Sequence, residues 1–266
     1  MRLLRVGRIA ALNMYPIYHG LERAADPTLE FTDGVPTTLN AALLDGRLDV
    51  SAMSSIAFAR NADRLHLVPV ASITADGAVD SIQVFSRVPF EEIRTLAVTP
   101  HSATSVALLR ILVGADVAPF ALLDRPAAEA LEDVDGVLLI GDEALTGLRT
   151  PFAPHRTDLG AVWRARTGRP MVFAVWAASQ AVARDRPGAV DDLAELLTQA
   201  RSAYLADPEP VVAAAAARFP FPADFIRPYL GRLRYEFGPA ERAGLEEFLR
   251  LASENGQLAA VPRLAA

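Results

Sequence analysis

Short apolar runs alternate with helical patterns through the first two thirds of this 266-residue chain, and that rhythm constrains the fold more than any other feature. Runs at 6–11, 29–32, 48–52, 65–72, 81–86, 95–98, 136–140 and 171–176 read as strands, each short and bounded by turn or capping residues. Between them lie helical spacings. Pro36-Thr37-Thr38 opens one, with Thr37 or Thr38 expected as its cap, Leu39, Ala42 and Leu43 on one face, and Asp45-Gly46 at its end. Another spans 102–113, with Val106, Leu109 and Val113 expected on its packed face. Such alternation builds a parallel or mixed sheet with helices on its faces. Gly136-Val137-Leu138-Leu139-Ile140 has the continuous apolar pattern of a strand covered on both sides.

From about Pro187 the pattern turns helical. The alanines at 213–217 extend a helix, and Pro220, Pro222 and Pro228 break the next stretch into short helices. Leu245, Phe248, Leu249 and Ala252 mark one face of a last helix over 239–253. One open sheet would need too many strands, so two α/β lobes are expected. Crossings are placed near Arg87-Val88-Pro89 and near Arg169-Pro170. They divide the chain into a discontinuous lobe of 1–87 and 171–266 and an inserted lobe of 88–170, with a ligand cleft between them.

Composition removes whole classes of chemistry. There is no cysteine, so disulfides, cysteine–zinc sites, iron–sulfur clusters and thiol catalysis are out. All 26 basic residues are arginine, so lysine Schiff bases are out, as is the phosphate loop that requires lysine. A net charge of −6 with no basic run argues against nucleic acid as a partner. Arg5 and Arg8 interrupt the first apolar run, so it does not read as a signal peptide, and no window is long and apolar enough to span a membrane. A cytoplasmic location is expected. His19, His66, His101 and His155 are scattered without metal-ligand spacing, so no metal and no cofactor is called for.

Five segments could carry a ligand. Leu12-Asn13-Met14-Tyr15-Pro16 comes after the first strand, where ligands of open α/β sheets sit, and Asn13 offers donors and an acceptor without charge. A plain turn explains it equally well. Met53-Ser54-Ser55-Ile56 lies at a strand-to-helix junction, where backbone amides and hydroxyls make a carboxylate site, though simple capping also accounts for it. Ser102-Ala103-Thr104-Ser105 repeats that logic with more hydroxyls than one cap requires. Two such turns on two lobes suit a dicarboxylate. Asp76-Gly77-Ala78-Val79-Asp80-Ser81 reads as a surface loop or as a turn aiming Ser81 into the cleft. Gly141-Asp142-Glu143 ends the most apolar strand and offers a base or a helix cap.

Taken in order these segments resemble one family. The series is Arg5-Val6-Gly7-Arg8-Ile9, Leu12-Asn13 and Pro16, then Leu44-Asp45-Gly46-Arg47-Leu48-Asp49-Val50 with Ser54-Ser55-Ile56, then Gly77 to Ser81 and Ser102 to Ser105. It closes with Leu138-Leu139-Ile140-Gly141-Asp142-Glu143-Ala144-Leu145, Asp158-Leu159-Gly160, Trp163, Thr167-Gly168-Arg169-Pro170 and Val172-Phe173-Ala174-Val175-Trp176. The chain thus resembles the chorismate dehydratases of the futalosine route to menaquinone, over about residues 5–177. Ala11 stands where the family commonly has an aromatic residue, and Ala178-Ser179 where an arginine is often nearby.

The resemblance implies a two-lobed, type II periplasmic-binding-protein-like α/β fold with a helical C-terminal tail. It implies loss of water from chorismate to give 3-(1-carboxyvinyloxy)benzoate. It implies Asn13 and Ser81 near the reacting ring, with Ser54, Ser55, Ile56, Ala103, Thr104 and Ser105 as carboxylate-binding turns; Gly141 and Asp142 join the expected substrate contacts. Becoming aromatic makes the reaction downhill, so an enzyme mainly orients substrate and stabilises developing charge. No motif supplies an obvious histidine or glutamate base, and the substrate's own enolpyruvyl carboxylate is expected to take the ring proton. The expected partner is this small dicarboxylate, with no nucleic acid and no membrane, and a homodimer is left open. Two other readings remain: the sister enzyme 1,4-dihydroxy-6-naphthoate synthase, and a non-catalytic cytoplasmic binding protein for a small carboxylate.

Overall fold

The computed structural model describes residues 3–114 and 117–264. The first part of the chain runs β1 (Leu4–Ile9), α1 (Tyr15–Ala24), β2 (Leu29–Gly34), α2 (Pro36–Leu44), β3 (Val50–Ser54), α3 (Ser55–Arg60) and β4 (Leu65–Ala75). It continues as β5 (Ile82–Ser86), β6 (Leu96–Val98), α4 (Ala103–Val113), β7 (Ala121–Leu122), α5 (Ala127–Ala130), β8 (Gly136–Ile140), α6 (Gly141–Arg149), β9 (His155–Asp158) and α7 (Leu159–Thr167). Then come β10 (Met171–Ser179), α8 (Gln180–Asp185), α9 (Pro187–Ala206), α10 (Glu209–Arg218), α11 (Ala223–Leu230), β11 (Leu233–Arg234) and α12 (Pro239–Glu254).

Two mixed sheets result. The first has the order β11-β4-β10-β3-β1-β2, with β1 parallel to β2 and β3, and β10 antiparallel to β3 and β4. The second has the order β7-β6-β8-β5-β9, with β6 parallel to β7 and β8, and β5 antiparallel to β8 and β9. Each sheet is parallel where helices make the connection. β4 to β5 and α7 to β10 carry the chain between the sheets, β5 and β10 pair antiparallel with their neighbours, and β11 pairs antiparallel with β4.

The crossing expected near Arg87-Val88-Pro89 lies earlier. β5 already belongs to the second sheet, so the chain leaves the first sheet between Ala75 and Ile82. The apolar run at 81–86 marks a buried strand but carries no sign of which sheet it joins. The return passes through 168–170, between α7 and β10.

Two local expectations also change. The cap of α2 is Val35, with Pro36 at the first helical position; Thr37 and Thr38 are already inside the helix and exposed. The fixed φ of Pro36 starts that helix without a hydroxyl cap. The buried residues of α4 are Thr104, Ser105, Ala107, Leu108, Leu109 and Ile111, whereas Val106 and Val113 are half-buried. α4 packs against α3, α7 and α12 together, so its covered face is wider than one stripe. Two further strands lie outside the runs read from the sequence: β7 is the two exposed residues Ala121 and Leu122, and β9 is the polar edge His155-Arg156-Thr157-Asp158.

The helical tail covers the first sheet. α9 lies on α1 and β4, and α12 lies on β10. Leu245, Phe248, Leu249 and Ala252 of α12 are fully buried, as their spacing requires.

Candidate functional site

A cavity of about 430 Å³ lies between the two sheets. That is within the roughly 300–1,000 Å³ usual for small-molecule sites. Its apolar walls are Ile9, Met14, Ile73, Ile82, Ile140 and Phe173. Asn13, Ser54, Ser81, Ala103, Ser105, Gly141 and Asp142 also line it, so seven of the residues singled out in the sequence converge on one space.

Each arrives for a local reason. Asn13 sits in a single 3-10 turn, Leu12–Met14, that closes β1 before Pro16 starts α1. Its Oδ1 is buried without a hydrogen-bond partner. Ser54 ends β3, and its Oγ is likewise buried and unpartnered. Ser102 caps α4: its Oγ accepts the Ser105 amide at 3.2 Å and bonds the Ser105 Oγ at 2.8 Å. With the Ser105 amide taken by that cap, the Ala103 and Thr104 amides are the first-turn donors of α4 left to meet a bound carboxylate.

Ser81 is held by backbone. Its amide donates to the Val79 carbonyl at 2.6 Å, and its own carbonyl accepts the Gly141 amide at 2.7 Å. Gly141 opens α6 at φ +57°, left-handed backbone that a side chain would strain. The glycine therefore lets the buried strand β8 turn into a helix beside Ser81.

Ser55, Ile56 and Thr104 do not line the cavity. The Ser55 Oγ donates to the Val172 carbonyl at 2.7 Å, and the Ile56 amide donates to Thr104 Oγ1 at 3.1 Å. All three residues are buried. The β-to-α junctions are legible in the sequence, but which hydroxyls turn inward depends on the facing lobe.

Charge in the cavity is sparse and negative. Burial raises the Asp142 carboxyl above its ordinary value, and the Leu12 amide, at 3.5 Å, pulls the other way. Glu143 and His101 stand at the edge. No arginine is among the lining residues described. A dicarboxylate would thus be met by neutral donors and helix N-termini. A wider depression of about 760 Å³ adjoins the cavity and shares His101, Asp142 and Glu143. None of the buried, unpartnered polar atoms described lies in it, so the inter-sheet cavity is the better site.

Sequence reading missed Asn40, Phe173, Ala174 and Tyr229. Asn40 projects from α2 into the cavity, with its Oδ1 buried and unpartnered. A polar residue on a helix ordinarily faces water, so only the fold reveals it. Tyr229, on α11 of the tail, is buried next to Ser81; burial pushes its phenol up and the Ser81 hydroxyl opposes that. Ala11 lines the cavity. Ala178 is buried in β10, and the Ser179 side chain caps α8 by accepting the Val182 amide.

A family model described as menaquinone biosynthesis matches residues 4–254. A chorismate dehydratase of Thermus thermophilus is 32% identical over 264 residues, covering 93% of this chain and 94% of that protein. A chorismate dehydratase of Campylobacter jejuni is 32% identical over 174 residues, covering 63% of this chain and 64% of its own. In three dimensions the chain is similar to protein AF1704 of Archaeoglobus fulgidus, with a TM-score of 0.77 at 16% identity, covering 96% of this chain and 98% of that one. It is also similar to the aliphatic sulphonate binding protein SsuA of Escherichia coli, with a TM-score of 0.68 at 18% identity, covering 100% and 95%. These two likenesses establish a periplasmic-binding-protein-like fold.

Proposed function

The chain belongs to the menaquinone-biosynthesis family, and from that premise we propose that it is a chorismate dehydratase, a hydro-lyase that removes water from chorismate to give 3-(1-carboxyvinyloxy)benzoate. The observation that carries this reading is the convergence of Asn13, Ser54, Ser81 and the start of α4 on one cavity between the sheets. The ligand proposed for this cavity is small, has its anionic groups met by neutral donors and helix starts, and reacts without a strong protein base.

Chorismate fits that description. One carboxylate is assigned to the α4 turn at Ala103 and Ser105, the other to the Ser54 side. Asn13 and Ser81 are assigned to hydrogen bonds at the reacting ring. The C–H bond breaks as the substrate's own enolpyruvyl carboxylate takes the proton. The C–H electron pair completes the arene as the ring hydroxyl leaves, and the proton passes from the carboxyl group to that departing oxygen, so that water is released and the carboxylate restored. The protein contributes orientation and neutral hydrogen bonds to the charge that develops, which are effective in a cavity closed to water. Crossings at 76–81 and 168–170 would let the lobes close on the substrate. No helix among the described residues is long and apolar enough to cross a membrane. The likeness to biosynthetic chorismate dehydratases supports a cytoplasmic reaction.

The test is direct. Purified protein is incubated with chorismate, and products are followed by chromatography and mass spectrometry. A product lighter by one water, aromatic and still carrying the enolpyruvyl group, is expected. Binding of chorismate without turnover would replace the enzyme with a carrier.

A further inference from the structure

Ser81 stands in the cavity only because residues 77–81 make a turn that their own sequence does not stabilise. Asp80 lies at φ +58°, left-handed backbone that strains a residue carrying a side chain. Such a conformation persists only where surrounding contacts hold it.

Those contacts come from Asp158, at the end of β9 and the N-cap of α7. Its carboxylate accepts the Val79 amide at 3.0 and 3.1 Å, the Asp80 amide at 2.7 Å and the Gln83 side-chain amide at 2.6 Å. It also accepts the Ala161 amide at 3.0 Å. Two residues on, a Cβ at Gly160 would sit 2.4 Å from the Gly77 carbonyl oxygen. The first turn of α7 therefore lies directly against the turn that carries Ser81. From the other side Arg232 pairs with Asp80 at 2.9 Å.

We propose that Asp158 is the positioning residue of Ser81: its carboxylate is the template that fixes the Val79 and Asp80 amides, and through them the direction of the Ser81 hydroxyl. This rests on the reading of Ser81 as a group that acts on the substrate. A helix cap alone does not need a carboxylate, since asparagine caps as well as aspartate. The template does need one. Both oxygens accept backbone amides, Oδ1 from Ala161 and Oδ2 from Asp80, so the NH₂ of an asparagine would face a donor whichever way it turned.

The experiment is a double-mutant cycle on the full chain with chorismate as substrate. Asp158→Asn should lower kcat about 100-fold, the scale of a misplacement near 1 Å, and leave KM within about 3-fold. In a Ser81→Ala background the same substitution should change kcat by less than about 3-fold, because the group it positions is gone. Wild-type kcat in Asp158→Asn, or an equal loss in both backgrounds, overturns the proposal. If Ser81→Ala alone keeps full activity, the role given to Ser81 fails, and Asp158 has nothing to act through. If Asp158→Asn does not fold in a melting scan, Gly160→Ala keeps the carboxylate and displaces the same contact, its Cβ meeting the Gly77 carbonyl oxygen at 2.4 Å and Asp158 Oδ1 at 3.2 Å. It should show the same split between kcat and KM, and unchanged kcat there overturns the proposal.

Discussion

The Ile56 amide donates to Thr104 Oγ1 at 3.1 Å, joining the helix after β3 of the first sheet to the helix after β6 of the second. The bond lies behind the cavity, with Ile56 0% and Thr104 1% exposed. Thr104→Val keeps the shape and leaves a buried amide without an acceptor, at a cost of about 1–3 kcal/mol. At about 2–4 °C per kcal/mol for a chain near this size, Tm should fall by several degrees, read by calorimetry. An unchanged Tm with a large rise in KM would return Thr104 to the ligand.

Asn13 and Ser81 should matter to the chemical step more than to binding. Each of Asn13→Ala and Ser81→Ala should lower kcat about 10²–10³-fold, as loss of one aimed hydrogen bond does. Product affinity by calorimetry should move far less. Full kcat in either variant removes that residue from the reaction.

Asp142 links pH to stability. Burial raises its folded-state pKa above 3.8, so the folded chain binds more protons than the unfolded one in the window above 3.8. Stability should therefore fall as pH rises through that window and level off once Asp142 is ionised. Asp142→Asn removes the ionised, desolvated carboxylate and should raise Tm at pH 7, with the gain shrinking toward pH 4. A gain that is constant across this range would mean that ionisation of Asp142 is not its source.

Asn40 separates binding from stability in the opposite sense. Its buried Oδ1 has no partner, so Asn40→Leu should leave Tm unchanged or raise it. If that amide serves the ligand, KM should rise about 10-fold, equivalent to about 1.4 kcal/mol, while kcat moves less. A KM that does not change would leave Asn40 outside the binding set.

Local signals carried much of this protein. The period of apolar residues marked most strands and the last helix, since side-chain spacing is a property of consecutive residues. Strand-to-helix junctions at Ser54 and Ser102, and the Gly141 turn after β8, were legible because caps and positive φ depend on near neighbours. The ordered set of motifs was enough to mark the family.

What the chain order could not carry was everything set by the facing lobe. Ser54 and Ser55 are adjacent hydroxyls at one junction, yet one opens on the cavity and the other bonds the Val172 carbonyl. Ile56 and Thr104 read as ligand contacts until α3 and α4 are brought together, and then they satisfy each other. β5 joins the second sheet although nothing in residues 82–86 differs from a strand of the first. Asn40 reaches the site from a helix whose own pattern does not point there. The physical reason is common to all of them. A buried polar group must find a partner, and when candidates lie 48 or 117 residues away, only the packing of the two sheets decides which one it meets.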